Sequence, residues 1–329
     1  MPETRSITTP RTADVRTALK EGIARLRAAN VPSDALAAEL LLMHALGRDR
    51  TWLYSYPETP LEAAVAEKYF ALISRRAAGE PTQYLTGKQE FWGLEFEVNR
   101  AVLIPRPETE HVIEVALERL RTRGTETDWR AGELLRVADV GTGSGCIAVA
   151  LARELPRAEI FAADISAAAL EVAQRNAARH GASDRVHFVN CDLLCGVADS
   201  GHGPPEGGAA SMPCPYGEKP SGNGATSFDL IVSNPPYVAR DDAGQLQREV
   251  RDHEPDAALF GGPTGVEIYS RLIEQAGSLL RRGGILALEL GYNSAAHVEG
   301  LLKAELGWTH VKVTNDLAGI PRVIAAERA

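Results

Sequence analysis

The first 85 residues of the chain place apolar residues at the spacing of amphipathic helices. In the stretch TADVRTALKEGIARLRAANV these apolar positions are Val15, Leu19, Ile23 and Leu26. They fall three or four residues apart, so one face of a helix carries all of them. A further helix is predicted over 34–46, capped by Ser33 and ended by Gly47, and another over 61–76. The pattern predicts a small all-α unit over residues 1–85.

A different pattern begins after this helical unit. QEFWGLEFEVN, residues 89–99, alternates around Gly93 as a short β-hairpin would, and a helix is predicted from about Glu108. Beyond it, runs of four to seven mostly apolar residues alternate with helical stretches. Strands are predicted over 135–140, 160–164, 186–190, 228–233, 285–290, 309–314 and 322–326, and helices over 145–155, 167–180, 266–280 and 295–306. Such alternation predicts an α/β fold with a doubly wound, mostly parallel sheet, closed by a β-hairpin.

One segment interrupts this alternation. Residues 196–226 hold eight glycines and five prolines among 31 residues and almost no large apolar side chain. That composition cannot form a packed core and predicts a mobile surface insertion. We therefore expect three parts: the helical unit 1–85, a hairpin linker 86–107, and an α/β domain 108–329 that contains the insertion.

Composition and charge exclude several classes of protein. The chain is 44% hydrophobic and 24% charged, typical of a globular protein. No apolar run reaches the roughly 18 to 20 residues of a membrane span, and the N-terminus lacks the apolar stretch of a secretory signal. Four cysteines without paired spacing predict neither a disulfide framework nor a metal site. A net charge of −9 weakly disfavours direct nucleic-acid binding. We expect a cytoplasmic, monomeric protein.

A glycine-rich turn follows the first predicted strand of the α/β domain. In ADVGTGSGCIAVA, residues 138–150, the turn runs Gly141-Thr142-Gly143-Ser144-Gly145. Glycines without a Cβ let the backbone bend sharply and approach a ligand closely. Asp164 ends the next predicted strand, where an acidic residue normally binds ribose hydroxyls. Together they indicate a cofactor that contains adenosine.

The spacing of the glycines narrows the choice of cofactor. G-T-G-S-G differs from the G-x-G-x-x-G of dinucleotide sites, and the chain contains no G-x-x-x-x-G-K-[ST] phosphate loop. The turn suits S-adenosylmethionine, whose carboxypropyl tail needs close backbone approach but brings no phosphate. Asp192, after the third predicted strand, is positioned to accept from the adenine amino group.

The stretch SNPPYVA, residues 233–239, follows a buried strand and ends it with two prolines. The side-chain oxygen of Asn234 and the carbonyl of Pro235 form a stiff pair of hydrogen-bond acceptors. Such a pair can hold both N–H groups of a planar NH2 and aim its nitrogen at a methyl donor. Loss of amide resonance opposes this reaction by up to about 18–20 kcal/mol, judged from the rotation barrier. Tyr237 offers a ring face to the planar group.

This turn resembles that of class I methyltransferases that modify planar amino groups on DNA adenine or protein glutamine. AVLIPRPETE at 101–110, EFWGLEFEVN upstream and HEPDAALFGGPTG downstream are similar specifically to the release factor glutamine methyltransferase family. The resemblance runs from about Gln83 to the C-terminus, and the helical unit matches in size and position. It implies methylation of the glutamine N5 in the Gly-Gly-Gln loop of class I peptide-chain release factors, which supports translation termination.

The resemblance also implies roles for individual residues. Binding of S-adenosylmethionine is implied for Gly141, Thr142, Gly143, Ser144, Gly145, Asp164, Asp192, Leu193 and Asn234. Catalysis at the target glutamine is implied for Asn234, Pro235, Pro236 and Tyr237. A place against the cleft is implied for Pro105, Arg106, Pro107 and Thr109. For the helical unit two interpretations stay open, a plain helical bundle and a substrate-recognition domain. Two features depart from the family: Leu193 stands where an aromatic residue is common, and the 196–226 insertion is longer. We expect both departures to affect the affinity for S-adenosylmethionine and not the chemistry of methyl transfer.

Three alternatives stay open. A ribosomal-protein glutamine methyltransferase would share the glycine turn and Asn-Pro-Pro-Tyr, although the PRPETE run favours the release-factor type. An adenine-N6 DNA methyltransferase would need a base-flipping pocket and a phosphate-binding surface, which the acidic charge balance disfavours. A non-catalytic module that binds a glutamine loop is disfavoured by the intact cleft residues.

Arg106 has two possible partners, an acidic group of the substrate or a nearby glutamate at 108 or 110.

Overall fold

The structure is a computed structural model that describes residues 14–122, 134–195, 197 and 227–329. The predicted insertion at 196–226 therefore lies outside the described residues, apart from Val197. The chain forms two compact units. The first contains residues up to 87 together with 248–253, and the second contains 88–247 and 254–329. Within the described ranges, no helix is long and apolar enough to cross a membrane.

The helices and strands follow the order of the chain. The helices are α1 (Val15–Ala28), α2 (Asp34–Leu46), α3 (Arg50–Ser55), α4 (Ala63–Ala77), α5 (Thr82–Thr86), α6 (Glu110–Thr122), α7 (Cys146–Glu154), α8 (Ala167–Arg179), α9 (Arg248–His253), α10 (Asp256–Leu259), α11 (Glu267–Leu279) and α12 (Ala295–Ala304). The strands are β1 (Lys88–Phe91), β2 (Leu94–Glu97), β3 (Leu135–Val140), β4 (Ala158–Asp164), β5 (Val186–Asn190), β6 (Phe228–Ser233), β7 (Val238–Ala239), β8 (Phe260–Gly262), β9 (Leu280–Glu289), β10 (Trp308–Asn315) and β11 (Pro321–Arg328). Short 3-10 helices cover Pro107–Thr109 and Arg240–Gln245.

The first unit is helical, as the apolar spacing predicted. Its core is formed by buried residues of α1, α2 and α4, among them Leu26, Leu41 and Ile73. Asp14 caps α1, because its side chain accepts a hydrogen bond from the Thr17 amide at 2.7 Å. The predicted cap of α2 is wrong: Ser33 has a left-handed backbone and its side chain makes no capping hydrogen bond.

Helix α9 belongs to this first unit although it lies about 160 residues further along the chain. Its Glu249 pairs with Arg76 of α4 at 2.6 Å, and the Arg76 side chain is only 6% exposed. The Arg76 guanidinium also donates to the carbonyl of Glu80 at 3.1 Å. A buried guanidinium needs an opposite charge and hydrogen-bond acceptors, and Glu249 of α9 supplies the opposite charge for Arg76. The sequence pattern did not indicate this helix.

The second unit contains a seven-stranded sheet in the order β10-β11-β9-β6-β3-β4-β5. The strands β5, β4, β3, β6 and β9 pair in parallel, and β11 is antiparallel to both of its neighbours. The predicted doubly wound, mostly parallel sheet is therefore confirmed. Chain order proceeds outward from β3 to β5 and then returns to β6 on the other side of β3. The strand order thus reverses between β3 and β6.

Helices cover both faces of this sheet. Buried residues of α6 and α7 pack with alternate residues of β3 and β6, such as Val137 and Leu230, on one face. On the other face, α11 and α12 pack with Ala138 and Ile231. Every residue of β6 is buried. A strand covered on both faces is mostly apolar, and β6 is apolar except for Asp229 and Ser233, which is why its bounds could be predicted from the sequence.

The last strand lies inside the sheet and not at its edge. The central residues of β11, Val323 to Ala326, are all buried between β9 and β10. Strand β10 alternates between exposed and half-buried residues and forms the edge. The prediction of a terminal antiparallel pair is consistent with this arrangement. An uninterrupted apolar run suits an interior strand, and the polar alternation of β10 suits an edge that must not pair further.

Candidate active site

Four strand ends meet at one edge of the large sheet. Val140, the last residue of β3, pairs with Ala163 of β4 and with Ser233 of β6. Ser233 in turn pairs with Leu288 of β9. The residues directly after these four are Gly141, Asp164, Asn234 and Glu289. Ligands of open α/β sheets bind at the carboxyl ends of strands where the strand order reverses, so this edge is the candidate site.

The turn after β3 depends on three glycines with different functions. Gly141, Gly143 and Gly145 have φ values of +71°, +55° and +80°, which glycine adopts without a steric penalty. A Cβ on Gly141 or Gly143 would meet no heavy atom closer than 4.0 Å, so the backbone there is open to a ligand. A Cβ on Gly145 would lie 3.0 Å from that of Ala173. The third glycine therefore allows α7 and α8 to pack closely.

The two hydroxyl side chains of the turn point into the protein. Thr142 is 4% exposed and donates a hydrogen bond to Asp139 Oδ2 at 2.6 Å, and the Ala148 amide of α7 donates to the same oxygen at 3.0 Å. Ser144 is 2% exposed, and its hydroxyl has no partner among the described atoms. Thr142 thus fixes the shape of the turn, and a ligand would meet mainly the backbone of these two residues.

Asp164 connects β4 to the glycine turn. Its Oδ2 accepts from the Gly143 amide at 2.8 Å, and its Oδ1 accepts from the Ser166 amide at 2.9 Å. A carboxylate has about four acceptor positions, so each oxygen can still accept a ribose hydroxyl. The structure places this residue level with Gly141 and Asn234, as the ribose-binding prediction requires.

The electrostatics of this edge favour a cationic ligand. Burial raises the pKa of Asp139 to about 7 and also raises the pKa of Asp164. Among the described groups that affect these two pKa values, none is a cationic side chain. A positive ligand would stabilise both carboxylates, whereas a phosphate would be repelled. S-Adenosylmethionine carries a positive sulfonium and a positive amino group, so the residues present fit this cofactor.

Asp192 and Leu193 follow β5 on the same side of the sheet. The Asp192 carboxylate accepts a hydrogen bond from Arg271 of α11 at 2.5 Å, and its side chain is 39% exposed. Leu193 has a φ of +55°, which is rare for a bulky residue. Sequence reasoning missed Arg271, which holds the carboxylate in place. Arg271 lies 79 residues after Asp192 in the chain, so no local sequence pattern connects the two residues.

The Asn-Pro-Pro-Tyr turn follows β6. The Asn234 side-chain nitrogen donates to the Thr109 hydroxyl at 3.0 Å. Its Oδ1 accepts no hydrogen bond from the described residues, so this oxygen is available to a ligand. Pro235 is buried and Pro236 is half-buried. A Cβ on Gly141 would lie 4.0 Å from the Asn234 carbonyl oxygen, so the glycine turn and this turn are neighbours.

Tyr237 ends the turn with its ring against the end of β9. The ring is half-buried, and a Cβ on Gly291 would lie 2.7 Å from it. The Tyr237 hydroxyl donates to Glu289 Oε1 across a long 3.4 Å. Burial, with the nearby Glu289 charge, raises the pKa of the Tyr237 hydroxyl well above its ordinary value. Tyr237 therefore stays neutral and acts by packing and hydrogen bonding.

Two further glycines brace the turn from outside. A Cβ on Gly261 would lie 2.5 Å from the Pro236 carbonyl oxygen, and one on Gly265 would overlap the Tyr237 carbonyl oxygen. Strand β7, directly after the turn, pairs in parallel with β8, which contains Gly261. The HEPDAALFGGPTG segment thus holds the backbone of the proline turn. The sequence pattern did not indicate these contacts.

The segment Pro105 to Thr109 lies beside the proline turn. Thr109 is 2% exposed, and its hydroxyl accepts the hydrogen bond from the Asn234 side-chain nitrogen. Pro105 is buried, whereas Pro107 is exposed. Arg106 pairs with Glu254 at 2.5 Å, and the Ile104 amide donates to the other oxygen of that carboxylate at 3.3 Å. The observed partner is neither Glu108 nor Glu110, and a contact of Arg106 with an acidic group of the substrate stays a prediction. The glutamate that binds it belongs to the HEPDAALFGGPTG segment.

The strand order, the glycine turn, the acid at the end of β4 and the Asn-Pro-Pro-Tyr turn define a class I methyltransferase that uses S-adenosylmethionine as methyl donor. Comparison with protein families agrees with this class. Residues 17–87 match a family described as the PrmC N-terminal domain, and residues 132–199 match a methyltransferase domain family.

Full-length relatives define the family more narrowly. The chain is 44% identical over 314 residues to the release factor glutamine methyltransferase of Koribacter versatilis, an alignment that covers 95% of this chain and 98% of the relative. It is 42% identical to the enzyme of the same name from Chlorobaculum tepidum, with 92% and 94% of the two chains covered. The chain belongs to the release factor glutamine methyltransferase family.

Proposed function

We propose that this protein transfers a methyl group from S-adenosylmethionine to the side-chain nitrogen of the glutamine in the Gly-Gly-Gln loop of class I peptide-chain release factors. One observation carries the proposal. Asn234 has its nitrogen bound to Thr109 and its oxygen available, and it adjoins the glycine turn at the carboxyl edge of the sheet. The names of the full-length relatives support the release factor as substrate.

The acceptor pair explains how an amide nitrogen can react. Asn234 Oδ1 accepts one N–H of the glutamine amide, and the Pro235 carbonyl accepts the other. With both protons held, the nitrogen lone pair points out of the amide plane toward the methyl donor. Prolines at 235 and 236 stiffen the turn, so this geometry exists before the substrate arrives and need not be formed during the reaction.

The bond changes balance without an external reagent. S-Adenosylmethionine supplies an electrophilic methyl group when it is bound. The glutamine nitrogen forms the new bond to that carbon, and the sulfur retains the electron pair of the broken bond. The nitrogen then loses one proton to water, because an amide that is protonated at nitrogen is strongly acidic. A dedicated base is therefore not required, and the task of the chain is to orient the two reactants.

Further residues position the reactants in this proposal. The backbone from Gly141 to Gly145, which includes Thr142, Gly143 and Ser144, approaches the tail of the cofactor. Asp164 accepts the ribose hydroxyls, and Asp192 and Leu193 border the adenine.

The remaining residues face the substrate. Pro236 and Tyr237 pack on the planar amide. Pro105, Arg106 and Pro107 border the entrance for the loop. The helical unit recognises the body of the release factor, and the reaction takes place in the cytoplasm, where release factors act.

Peptide mapping tests this proposal directly. A purified class I release factor is incubated with the protein and S-adenosylmethionine and analysed by mass spectrometry. We expect one added methyl group on the glutamine of the Gly-Gly-Gln loop. A methyl group elsewhere, or none although the cofactor binds, would overturn the assignment. Thermal stabilisation by S-adenosylmethionine reports cofactor binding separately.

A further inference from the structure

A buried carboxyl group lies beneath the proline turn, and the reaction described above does not use it. Glu289 is the last residue of β9 and is 2% exposed. Its Oε1 accepts the long hydrogen bond from Tyr237, and among the described atoms its Oε2 has no partner at ordinary hydrogen-bond distance and angle. An underused buried carboxyl is costly, which calls for an explanation in terms of function.

Thr109 connects this carboxyl to Asn234. Its hydroxyl accepts from the Asn234 side-chain nitrogen at 3.0 Å, and the same side chain lies close enough to the Glu289 carboxyl to lower the pKa of that group. A hydroxyl has only one proton to donate. When Thr109 gives that proton to an ionised Glu289, only its lone pairs face Asn234. The amide must then present NH2 to Thr109 and its oxygen to the cleft.

The two ends of an asparagine amide have nearly the same shape, so packing alone does not select one orientation. The flipped amide would offer an NH2 group to the NH2 of the substrate, and the acceptor pair would be lost. We infer that Thr109 and Glu289 are positioning residues, which hold the Asn234 amide with Oδ1 toward the target nitrogen. This inference rests on the proposed function for its consequence in catalysis.

The arrangement makes the orientation depend on pH. A protonated Glu289 can itself donate to Thr109, which releases the threonine proton to point at Asn234 and favours the flipped amide. Burial raises the pKa of Glu289 to about 7, so this change falls near neutral pH. The titratable and charged groups that surround Glu289 are Glu108, Tyr237, Tyr269, Cys146 and Arg322. Arg322 favours the ionised carboxylate, and Glu108 opposes it.

Steady-state kinetics of two threonine variants test the relay. Thr109→Val keeps the shape but removes the hydroxyl. We expect kcat on the release factor to fall 10- to 100-fold, with the Kd for S-adenosylmethionine unchanged. Thr109→Ser restores the hydroxyl and should recover most of kcat. If the valine variant is folded and keeps wild-type kcat, Thr109 is not a positioning residue.

A pH profile tests the part of Glu289. At saturating cofactor we expect wild-type kcat to rise through an inflection near pH 7, and Glu289→Gln to lack that inflection. Tyr269→Phe is the matched control. Its hydroxyl donates to the backbone carbonyl of Glu289 at 2.8 Å and does not belong to the relay, so the inflection should persist. An inflection retained in Glu289→Gln would contradict the inference.

A measurement without substrate separates this inference from the proposed function. The side-chain NH2 signal of Asn234, assigned by its loss in Asn234→Asp, is followed by NMR against pH. We expect it to titrate near pH 7 in the wild type and to stay constant in Glu289→Gln. Constant signals in both proteins would overturn the relay even if the release factor is methylated. A titrating signal in a protein that does not methylate the release factor would leave the relay intact and overturn only the substrate.

Discussion

At the scale of single residues, the sequence identified the groups that lie within one short motif. Gly141 and Asn234 each directly follow a strand whose bounds the apolar pattern predicted, and Asp164 is the last residue of β4, so their shared edge followed from the topology. Contacts between residues far apart in the chain gave no such signal. Thr109 contacts Asn234 from 125 residues away, and Glu289 lies 52 residues beyond Tyr237. Such contacts depend on tertiary packing, which periodicity does not encode.

The raised pKa of Glu289 makes stability depend on pH. Its pKa is about 7 in the folded protein, against the ordinary value of 4.5 for a glutamate. Below pH 4.5 the carboxyl is protonated in both the folded and the unfolded state, so it does not lower the folding stability. As pH rises toward 7 the unfolded chain ionises first, so folding stability falls and the full cost applies above pH 7. At 1.36 kcal/mol for each pKa unit, this cost is about 3 kcal/mol.

Glu289→Gln should therefore lose less stability than the wild type between pH 5 and pH 8. Urea unfolding at several pH values measures the two slopes. Asp139 contributes in the same direction but is present in both proteins, so it cancels in the comparison. Glu274→Gln, at an exposed position on α11, is the control and should keep the wild-type slope. Equal slopes for the wild type and Glu289→Gln would contradict the burial argument.

At the scale of elements, the strands of the parallel sheet were the most predictable part of the fold. The bounds of β3, β5 and β6 coincide with those that the apolar runs indicated. Short elements were missed, since α9, α10, β7 and β8 span two to six residues and show no measurable period. Strand β9 begins at Leu280, earlier than predicted, because Leu280 pairs with Phe228 across an irregularity.

The glycines that brace the proline turn give a prediction at this scale. Gly265 and Gly319 have φ values of +82° and +80°, but a Cβ on Gly265 would overlap the Tyr237 carbonyl oxygen and one on Gly319 would meet nothing within 4 Å. Both alanine variants should lose about 1–2 kcal/mol of stability from the left-handed backbone. Gly265→Ala should lose a further ~1–3 kcal/mol from overpacking.

The two variants also separate stability from catalysis. Because the overlap displaces the turn that holds Asn234, Gly265→Ala should lower kcat at least 10-fold, while Gly319→Ala keeps the wild-type value. Denaturant unfolding and methyl transfer to the release factor measure the two effects. If the variants behave alike, the HEPDAALFGGPTG segment does not brace the turn.

At the scale of the whole molecule, the chain combines a helical unit with a methyltransferase unit. The sequence predicted both architectures, because each depends on a periodic apolar pattern. It did not predict that residues 248–253 belong to the helical unit. The Arg76–Glu249 pair that holds them there joins charges more than 170 residues apart. An arginine within a helix gives no sign of such a distant partner.

Removal of that partner should destabilise the helical unit. In Glu249→Ala the guanidinium of Arg76, only 6% exposed, keeps the Glu80 carbonyl but loses its carboxylate. We expect unfolding of this unit to be easier by about 1–3 kcal/mol. Asp252→Ala, on the same helix, removes exposed pairs with Arg248 and Arg251 and should leave stability unchanged. Hydrogen exchange of α4 amides distinguishes the two, and equal protection in both variants would contradict this account.

The central claim is that the acceptor pair in the Asn-Pro-Pro-Tyr turn orients a glutamine amide for methyl transfer. The most direct test compares wild type and Asn234→Ala by mass spectrometry of a class I release factor, with S-adenosylmethionine saturating for both. Loss of one preorganised hydrogen-bond group costs about 100- to 1,000-fold in kcat in other enzymes. We predict a loss of that size at the Gly-Gly-Gln glutamine, since saturating S-adenosylmethionine removes any effect of the substitution on cofactor binding. Methylation by Asn234→Ala at the wild-type rate would contradict the account.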